Sequence, residues 1–179
     1  MSGGATLILG GARSGKSRYA EKLATASGLR PVYLATYRPM QDAPDKEMEA
    51  RIAAHRARRG SSWRNLEVPV ALAEAIRDES DKESILLIDC LTLWLTNILL
   101  ADKEPEEASE ALVAALREAR GEVVLVANEV GLGIVPENAL ARRFRDAQGR
   151  LNQQIAAMAE TVVFLAAGLP MALKGKLPA

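Results

Sequence analysis

The run Gly10-Gly11-Ala12-Arg13-Ser14-Gly15-Lys16-Ser17 spells G-x-x-x-x-G-K-[ST] in full, and that spacing suits a nucleoside triphosphate. Glycines let successive backbone N–H groups wrap phosphate oxygens, and a helix starting behind them offers its positive end. Lys16 would neutralise the β- and γ-phosphates and Ser17 would ligate Mg²⁺. Asp89 ends the apolar run Ile85-Leu86-Leu87-Ile88, the setting of a carboxylate that holds Mg²⁺ directly or through water. An acid there can equally cap the helix that follows.

A second group of residues is basic. Arg51, His55, Arg56, Arg58 and Arg59 share a stretch of helical composition, with Arg64 just beyond. In a helix Arg51 lies four residues before His55, Arg58 three after and Arg59 four after, so three guanidiniums can flank one imidazole. Three roles fit this pattern: a solvated basic face, a nucleic-acid patch, or a phosphate site whose histidine does covalent work. A neutral imidazole is a competent nucleophile towards an α-phosphate, and arginines would stabilise the charge that develops. The 23 Lys and Arg are balanced by 23 Asp and Glu, so no global field draws in nucleic acid or an anionic membrane surface.

These residues need a scaffold that brings them to one place. Thr6–Leu9 reads as a strand, residues 16–26 as a helix and Val32–Thr36 as a second strand, followed by a Pro- and Asp-containing loop over 38–45. Residues 46–59 form the basic helix, and a short connection through Trp63 to Glu67 leads to a helix over 69–77. Ser84–Asp89 is the third strand, helices follow over 91–101 and 106–120, and Glu122–Ala127 is the fourth strand. A glycine-containing loop over 128–136 precedes a long amphipathic helix over 137–160, with Gly149 as a candidate interruption. Thr161–Ala166 is the fifth strand, and a turn at Gly168-Leu169-Pro170 leads into a short last strand, Met171–Lys174.

Strands alternating with helices predict an α/β fold with a mostly parallel sheet, helices on both faces and right-handed crossovers. No linker or repeat divides the chain, so a single domain over 1–179 is expected. In such sheets ligands bind beyond the carboxyl ends of the strands, where Gly10, Thr36, Asp89 and Asn128 all fall. The single cysteine, Cys90, cannot form an intramolecular disulfide, and no signal-peptide pattern or bilayer-length apolar run is present. A cytoplasmic protein without membrane insertion is expected.

Several segments together carry a closer likeness. The loop at 10–17, Tyr33-Leu34-Ala35-Thr36, the helix Glu47-Met48…Arg51-Ile52…His55-Arg56, Trp63-Arg64…Glu67 and the run from Asn128 to Asn138 resemble the bifunctional adenosylcobinamide kinase / adenosylcobinamide-phosphate guanylyltransferase family. The loop is shared by countless NTPases. The 128–138 segment, continued by Arg142-Arg143-Phe144-Arg145-Asp146 and Asn152-Gln153, is far more specific, as is the closing Gly168-Leu169-Pro170…Leu173-Lys174-Gly175.

The resemblance implies a RecA-like P-loop NTPase fold with an antiparallel C-terminal strand. It implies phosphorylation of the adenosylcobinamide hydroxyl, then transfer of GMP from GTP to adenosylcobinamide phosphate, in cobalamin biosynthesis. GTP with Mg²⁺ is the implied nucleotide, with ATP an option for the kinase step, and the implied assembly is a homotrimer. It assigns a covalent GMP-histidine intermediate to His55, by spacing from Arg51-Ile52, although Ala54 stands where some relatives have a second histidine. Gly60 stands where relatives often have proline. Nucleotide contacts fall by position on Gly10, Gly11, Ala12, Arg13, Ser14, Gly15, Lys16, Ser17, Leu34, Ala35, Thr36, Arg56, Ala57, Arg58, Arg59, Glu67 and Asp89, with Ser17 and Asp89 on the metal and Lys16 beside His55 in catalysis. From the residues alone two other functions stay open: a P-loop small-molecule kinase whose histidine is structural, and a non-catalytic nucleotide switch.

Overall fold

A computed structural model describes residues 4–39 and 46–178, together with all their side chains except those of 47–49 and 51. The element order is β1 (Ala5–Gly10), α1 (Lys16–Ala26), β2 (Arg30–Ala35), α2 (Lys46–Arg59), β3 (Arg64–Glu67), α3 (Leu72–Glu79) and β4 (Ser84–Asp89). Then come α4 (Leu91–Leu100), α5 (Pro105–Glu118), β5 (Glu122–Asn128), α6 (Ala139–Met158), β6 (Thr161–Ala166) and β7 (Leu169–Lys174). The strands form one sheet in the order β3-β2-β4-β5-β1-β6-β7, parallel throughout except for the antiparallel β6–β7 pair.

The central strands are continuous apolar runs because both faces of the sheet are covered. Side chains of a strand alternate between faces, and here the alternation sorts the core into two halves. Leu7, Leu9, Val32, Leu34, Leu86, Ile88, Val123 and Leu125 pack with residues of α3, α4, α5 and α6. Ile8, Tyr33, Leu87, Val124, Val126 and Val163 face the other way and pack with Ala20 and Ala24 of α1 and with Trp63. Among the described residues no helix is long and apolar enough to cross a membrane.

Three expectations are corrected. The connection 63–67 contains an edge strand, β3, whose polar Arg-Asn-Leu-Glu sequence carries none of the usual strand signal but pairs with β2 from Val32↔Arg64 to Ala35↔Glu67. The long helix runs unbroken through Gly149, since the buried stripe Ala147, Leu151 and Ile155 outweighs the propensity cost of about 1 kcal/mol for one glycine. The last turn falls on Ala167-Gly168, whose φ values of 51 and 80 suit a tight hairpin, so Leu169 and Pro170 belong to β7. Pro170 is tolerated there because β7 is an edge.

Candidate functional site

Register brings the loop-bearing strand ends together at one edge. Gly10 stands opposite Asn128 of β5 and Leu165 of β6, while Ala35 of β2 stands between Glu67 of β3 and Asp89 of β4. The Glu129 N–H donates to the Gly10 carbonyl at 3.1 Å, which ties the start of the 129–138 loop to the phosphate-binding loop. Further in, Asn152 donates to the Asn128 carbonyl at 3.3 Å and the Asn128 N–H donates to the Thr92 hydroxyl at 2.8 Å.

The loop between β1 and α1 is held in a strained, close-fitting shape. A Cβ on Gly10 would lie 2.4 Å from the Leu165 carbonyl oxygen, and Gly15, with φ 100, is the residue that opens α1. The Gly168 N–H donates to the Ser14 carbonyl at 3.0 Å, so the β6–β7 turn braces the loop from behind. Lys16 is buried and donates to the Gly11 carbonyl at 2.6 Å, which folds its ammonium back over the loop. α1 then directs its N-terminal N–H groups and dipole at the same concavity.

Ser17 in the first turn of α1 and Asp89 at the end of β4 offer only oxygen donors. Among the described residues no three His, Cys, Asp or Glu gather to hold a metal by themselves. An ion at this edge would therefore share its ligands with phosphate oxygens and water, the usual circumstance of Mg²⁺, so the donor set fits that ion.

The run 34–36 is narrowed by burial. Leu34 and Thr36 are both fully buried. Thr36 Oγ1 donates to the Cys90 carbonyl and accepts from the Cys90 N–H, each at 2.8 Å, and the Thr36 carbonyl accepts from Asn97 at 2.7 Å. Thr36 thus clamps β2 to the turn after β4, and Ala35 is the member of the run left part-exposed. Burial, with Asp89 beside it, pushes the Cys90 thiol up to about 11, so it is not a thiolate nucleophile at neutral pH.

The basic helix is organised by a residue outside the expected set. Glu21 of α1 is buried, and its carboxylate receives three side chains of α2. His55 Nδ1 lies 3.1 Å from Glu21 Oε1, Arg58 donates to Oε2 from Nε at 3.3 Å and from Nη2 at 3.1 Å, and Arg59 Nη1 donates to Oε1 at 3.3 Å. Burial pushes the Glu21 carboxyl up, but the hydrogen bonds from His55 and Arg58 outweigh it and hold it below the ordinary carboxylate value. It is ionised at neutral pH.

The arginines have separate duties. Arg58 is half-exposed and also lies 3.1 Å from His55 Nδ1. Arg59 is buried, stacks on Tyr33 and donates to Asn65 at 3.2 Å, so its guanidinium is turned inward to the sheet. Arg56 and Ala57 are exposed, and Arg56 makes only a loose ion pair with exposed Glu67, 3.7 Å apart. The expected three guanidiniums around the imidazole include Arg51, whose side chain lies outside the described residues, as does the 40–45 part of the loop before α2.

Glu21 is hidden in the sequence because Glu21-Lys22 reads as an ordinary solvated pair. The signal that points to it is its place on α1 beside Ala20 and Ala24, on the buried face of that helix. Tyr33 joins the cluster from β2 by stacking under Arg59, and Asn65 joins it from β3, the strand that sequence reasoning missed.

A family model described as cobinamide kinase / cobinamide phosphate guanyltransferase matches residues 6–173. The bifunctional adenosylcobalamin biosynthesis protein CobP of Pseudomonas aeruginosa is 54% identical over 173 residues, covering 95% of this chain and 97% of that protein. CobU of Escherichia coli, with the same description, is 41% identical over 94% of this chain and 98% of its own length. Among solved structures, an ATPase of the type III secretion system of pathogenic bacteria superposes with a TM-score of 0.58 at 12% identity, over 96% of this chain and 57% of that one. A protein of Pyrococcus horikoshii OT3 gives 0.57 at 10% identity, over 97% and 87%. Those two likenesses speak for the P-loop fold alone. Matched along nearly its whole length, the chain belongs to the cobinamide kinase / cobinamide phosphate guanyltransferase family.

Proposed function

We propose that this chain phosphorylates adenosylcobinamide and then transfers GMP from GTP to adenosylcobinamide phosphate, through a GMP adduct on His55. The observation that carries the proposal is the link between the phosphate loop and the histidine. Glu21, which faces His55 Nδ1, lies four residues beyond Ser17 on the helix that the loop opens, about one turn away. A nucleotide seated on the loop and the imidazole are thus referred to one rigid element.

In the first reaction the corrinoid hydroxyl oxygen attacks the γ-phosphorus and releases its proton to water, the bond to the bridging oxygen breaks, and a nucleoside diphosphate leaves. Lys16 and the loop N–H groups hold the charge on it; such transfers depend mainly on positioning and electrostatics. In the second reaction His55 attacks the α-phosphorus of GTP and pyrophosphate leaves, again held by Lys16. An oxygen of the corrinoid phosphate then attacks the same phosphorus and the imidazole leaves, which splits one difficult substitution into two. Mg²⁺, when bound through Ser17 and Asp89, supplies charge neutralisation to the phosphate oxygens. Ala35, Arg56, Arg58 and Glu67 line the approach to the nucleotide, and Arg59 holds α2 on the sheet. The two reactions break different bonds of the triphosphate, so α2 adjusts between them.

The experiment is a mass measurement on denatured protein after incubation with GTP. A GMP adduct mapped to His55 is expected. Its absence would favour a small-molecule kinase, a role with which the paired state of His55 is also compatible.

The working form is proposed to be a cytoplasmic homotrimer. Leu132, Ile134, Leu169, Met171 and Leu173 are exposed apolar side chains of the kind that burial between copies would cover. Light scattering that returns the mass of a monomer would remove this part.

A further inference from the structure

We infer that Glu21 is a positioning residue for guanylyl transfer: its carboxylate holds the proton on His55 Nδ1, so that the lone pair stands on Nε2 and that nitrogen attacks phosphorus. The inference rests on His55 being the nucleophile and goes beyond it by assigning the attacking atom and the group that selects it.

The tautomer follows from the three groups that meet at Nδ1. Glu21 Oε1 and Arg58 Nη2 each lie 3.1 Å from it. An ionised carboxylate only accepts and a guanidinium only donates. With Nδ1 bare, its lone pair would face a carboxylate oxygen at hydrogen-bond distance with nothing between them. With Nδ1 protonated, the ring donates to Oε1, and Arg58 keeps charge-assisted bonds to Oε2 from both Nε and Nη2. The second arrangement gives Oε1 the ring proton and leaves Arg58 Nη2 on Oε2, whereas a bare Nδ1 could accept only from that same Nη2, which the carboxylate already holds. A neutral ring with N–H at Nδ1 carries its lone pair at Nε2.

The same carboxylate serves the adduct. When Nε2 bonds to phosphorus and the bond to pyrophosphate breaks, the ring becomes a cation with its proton still on Nδ1. Glu21 faces that proton in a buried setting, where a matched charge counts for more than in water. When the corrinoid phosphate takes the guanylyl group, the N–P pair of electrons returns to Nε2 and the neutral ring is restored. Arg58 helps keep the carboxylate ionised, Arg59 helps aim it, and the rigidity of α1 sets its distance from the loop.

The test compares wild-type protein with Glu21→Gln, Glu21→Asp and His55→Ala. Glutamine keeps the size of the side chain but can present either oxygen or NH₂ to Nδ1, so it neither selects the tautomer nor stabilises the cation. The rate of single-turnover labelling from α-labelled GTP is expected to fall on the order of 10²-fold in Glu21→Gln, with KM for GTP unchanged. The kinase reaction should stay close to wild type, and Glu21→Asp should recover part of the labelling rate. ¹⁵N spectra of the ring at neutral pH should show Nδ1–H in the wild type and loss of that preference in Glu21→Gln. Labelling at the wild-type rate in Glu21→Gln, an unchanged tautomer, or equal loss of both reactions would overturn the inference, the last by reducing Glu21 to a structural residue. Label persisting in His55→Ala would instead remove the histidine nucleophile itself, and this inference with it.

Discussion

The Arg59 guanidinium carbon lies 3.5 Å from the centroid of the Tyr33 ring, so the last turn of α2 is fastened to the middle of β2 by a stacked cation. The Tyr33 ring meets Trp63 edge-on, with centroids 6.4 Å apart, and the same guanidinium reaches Glu21 and Asn65. Three elements thus meet on one side chain: α1 through Glu21, β2 through Tyr33 and β3 through Asn65. The described side-chain ties of α2 to Glu21, Tyr33, Asn65 and Glu67 are of this polar, long-armed kind, which suits the proposed role of α2 as the element that bears the nucleophile.

Removing that fastening should be costly. Arg59→Ala leaves a buried carboxylate short of one partner and is expected to destabilise the protein by about 3 kcal/mol. Urea unfolding checks it: the midpoint should fall with the slope unchanged. Hydrogen exchange over residues 52–59 should rise more than over α1.

His55→Ala separates the two reactions. Guanylylation should fall by about 10³-fold or more, since the proposed nucleophile is gone, while phosphorylation of adenosylcobinamide continues at a measurable rate. Assaying both products on the same preparation distinguishes this from misfolding, which would lower them together.

Lys16→Ala acts on both reactions instead. Its ammonium closes over the loop at Gly11, where the leaving phosphates of either step would sit. A loss on the order of 10²-fold in each is expected, and nucleotide-binding calorimetry should show weaker GTP affinity.

Acid stability reports on Glu21. Its folded pKa is held below the ordinary 4.5, so the stability it contributes is fully present above that value and lost as pH falls through the folded one. Thermal melts from about pH 6 down to about pH 3 should therefore decline more steeply for the wild type than for Glu21→Gln, which has no such group to titrate. Parallel curves would remove the pairing.

Gly10→Ala tests the loop. Besides φ of 151, the added Cβ would meet the Leu165 carbonyl at 2.4 Å, and that oxygen belongs to a central strand pair that cannot swing aside. A cost of about 2 kcal/mol or more is expected, equivalent to a Tm lower by roughly 4–8 °C in a chain of this size.

Much of this molecule is legible in its amino-acid sequence. The glycine loop, five parallel strands and the family likeness rest on local spelling: apolar runs of strand length, a motif eight residues long, and the segment 128–138. Such features are set by neighbours in the chain, and their backbone consequences follow directly. The convergence of Gly10, Asp89 and Asn128 on one edge also follows, because parallel strands joined by helices must all point the same way.

What the tertiary structure alone decided is how the basic helix is used. Glu21 and His55 are 34 residues apart, on different helices, and nothing in either neighbourhood announces the other. Of the arginines that helical spacing placed around the imidazole, Arg58 attends it and Arg59 is turned inward onto Tyr33, while Arg56 of the same basic stretch faces solvent. Helical periodicity states which side chains share a face but not what that face is pressed against. That depends on β3, a four-residue strand whose pairing comes from the exposed edge of β2 and from no preference of its own. The phosphate loop is therefore a property of the sequence, while the carboxylate that orients its histidine exists only once the sheet has brought α1 and α2 side by side.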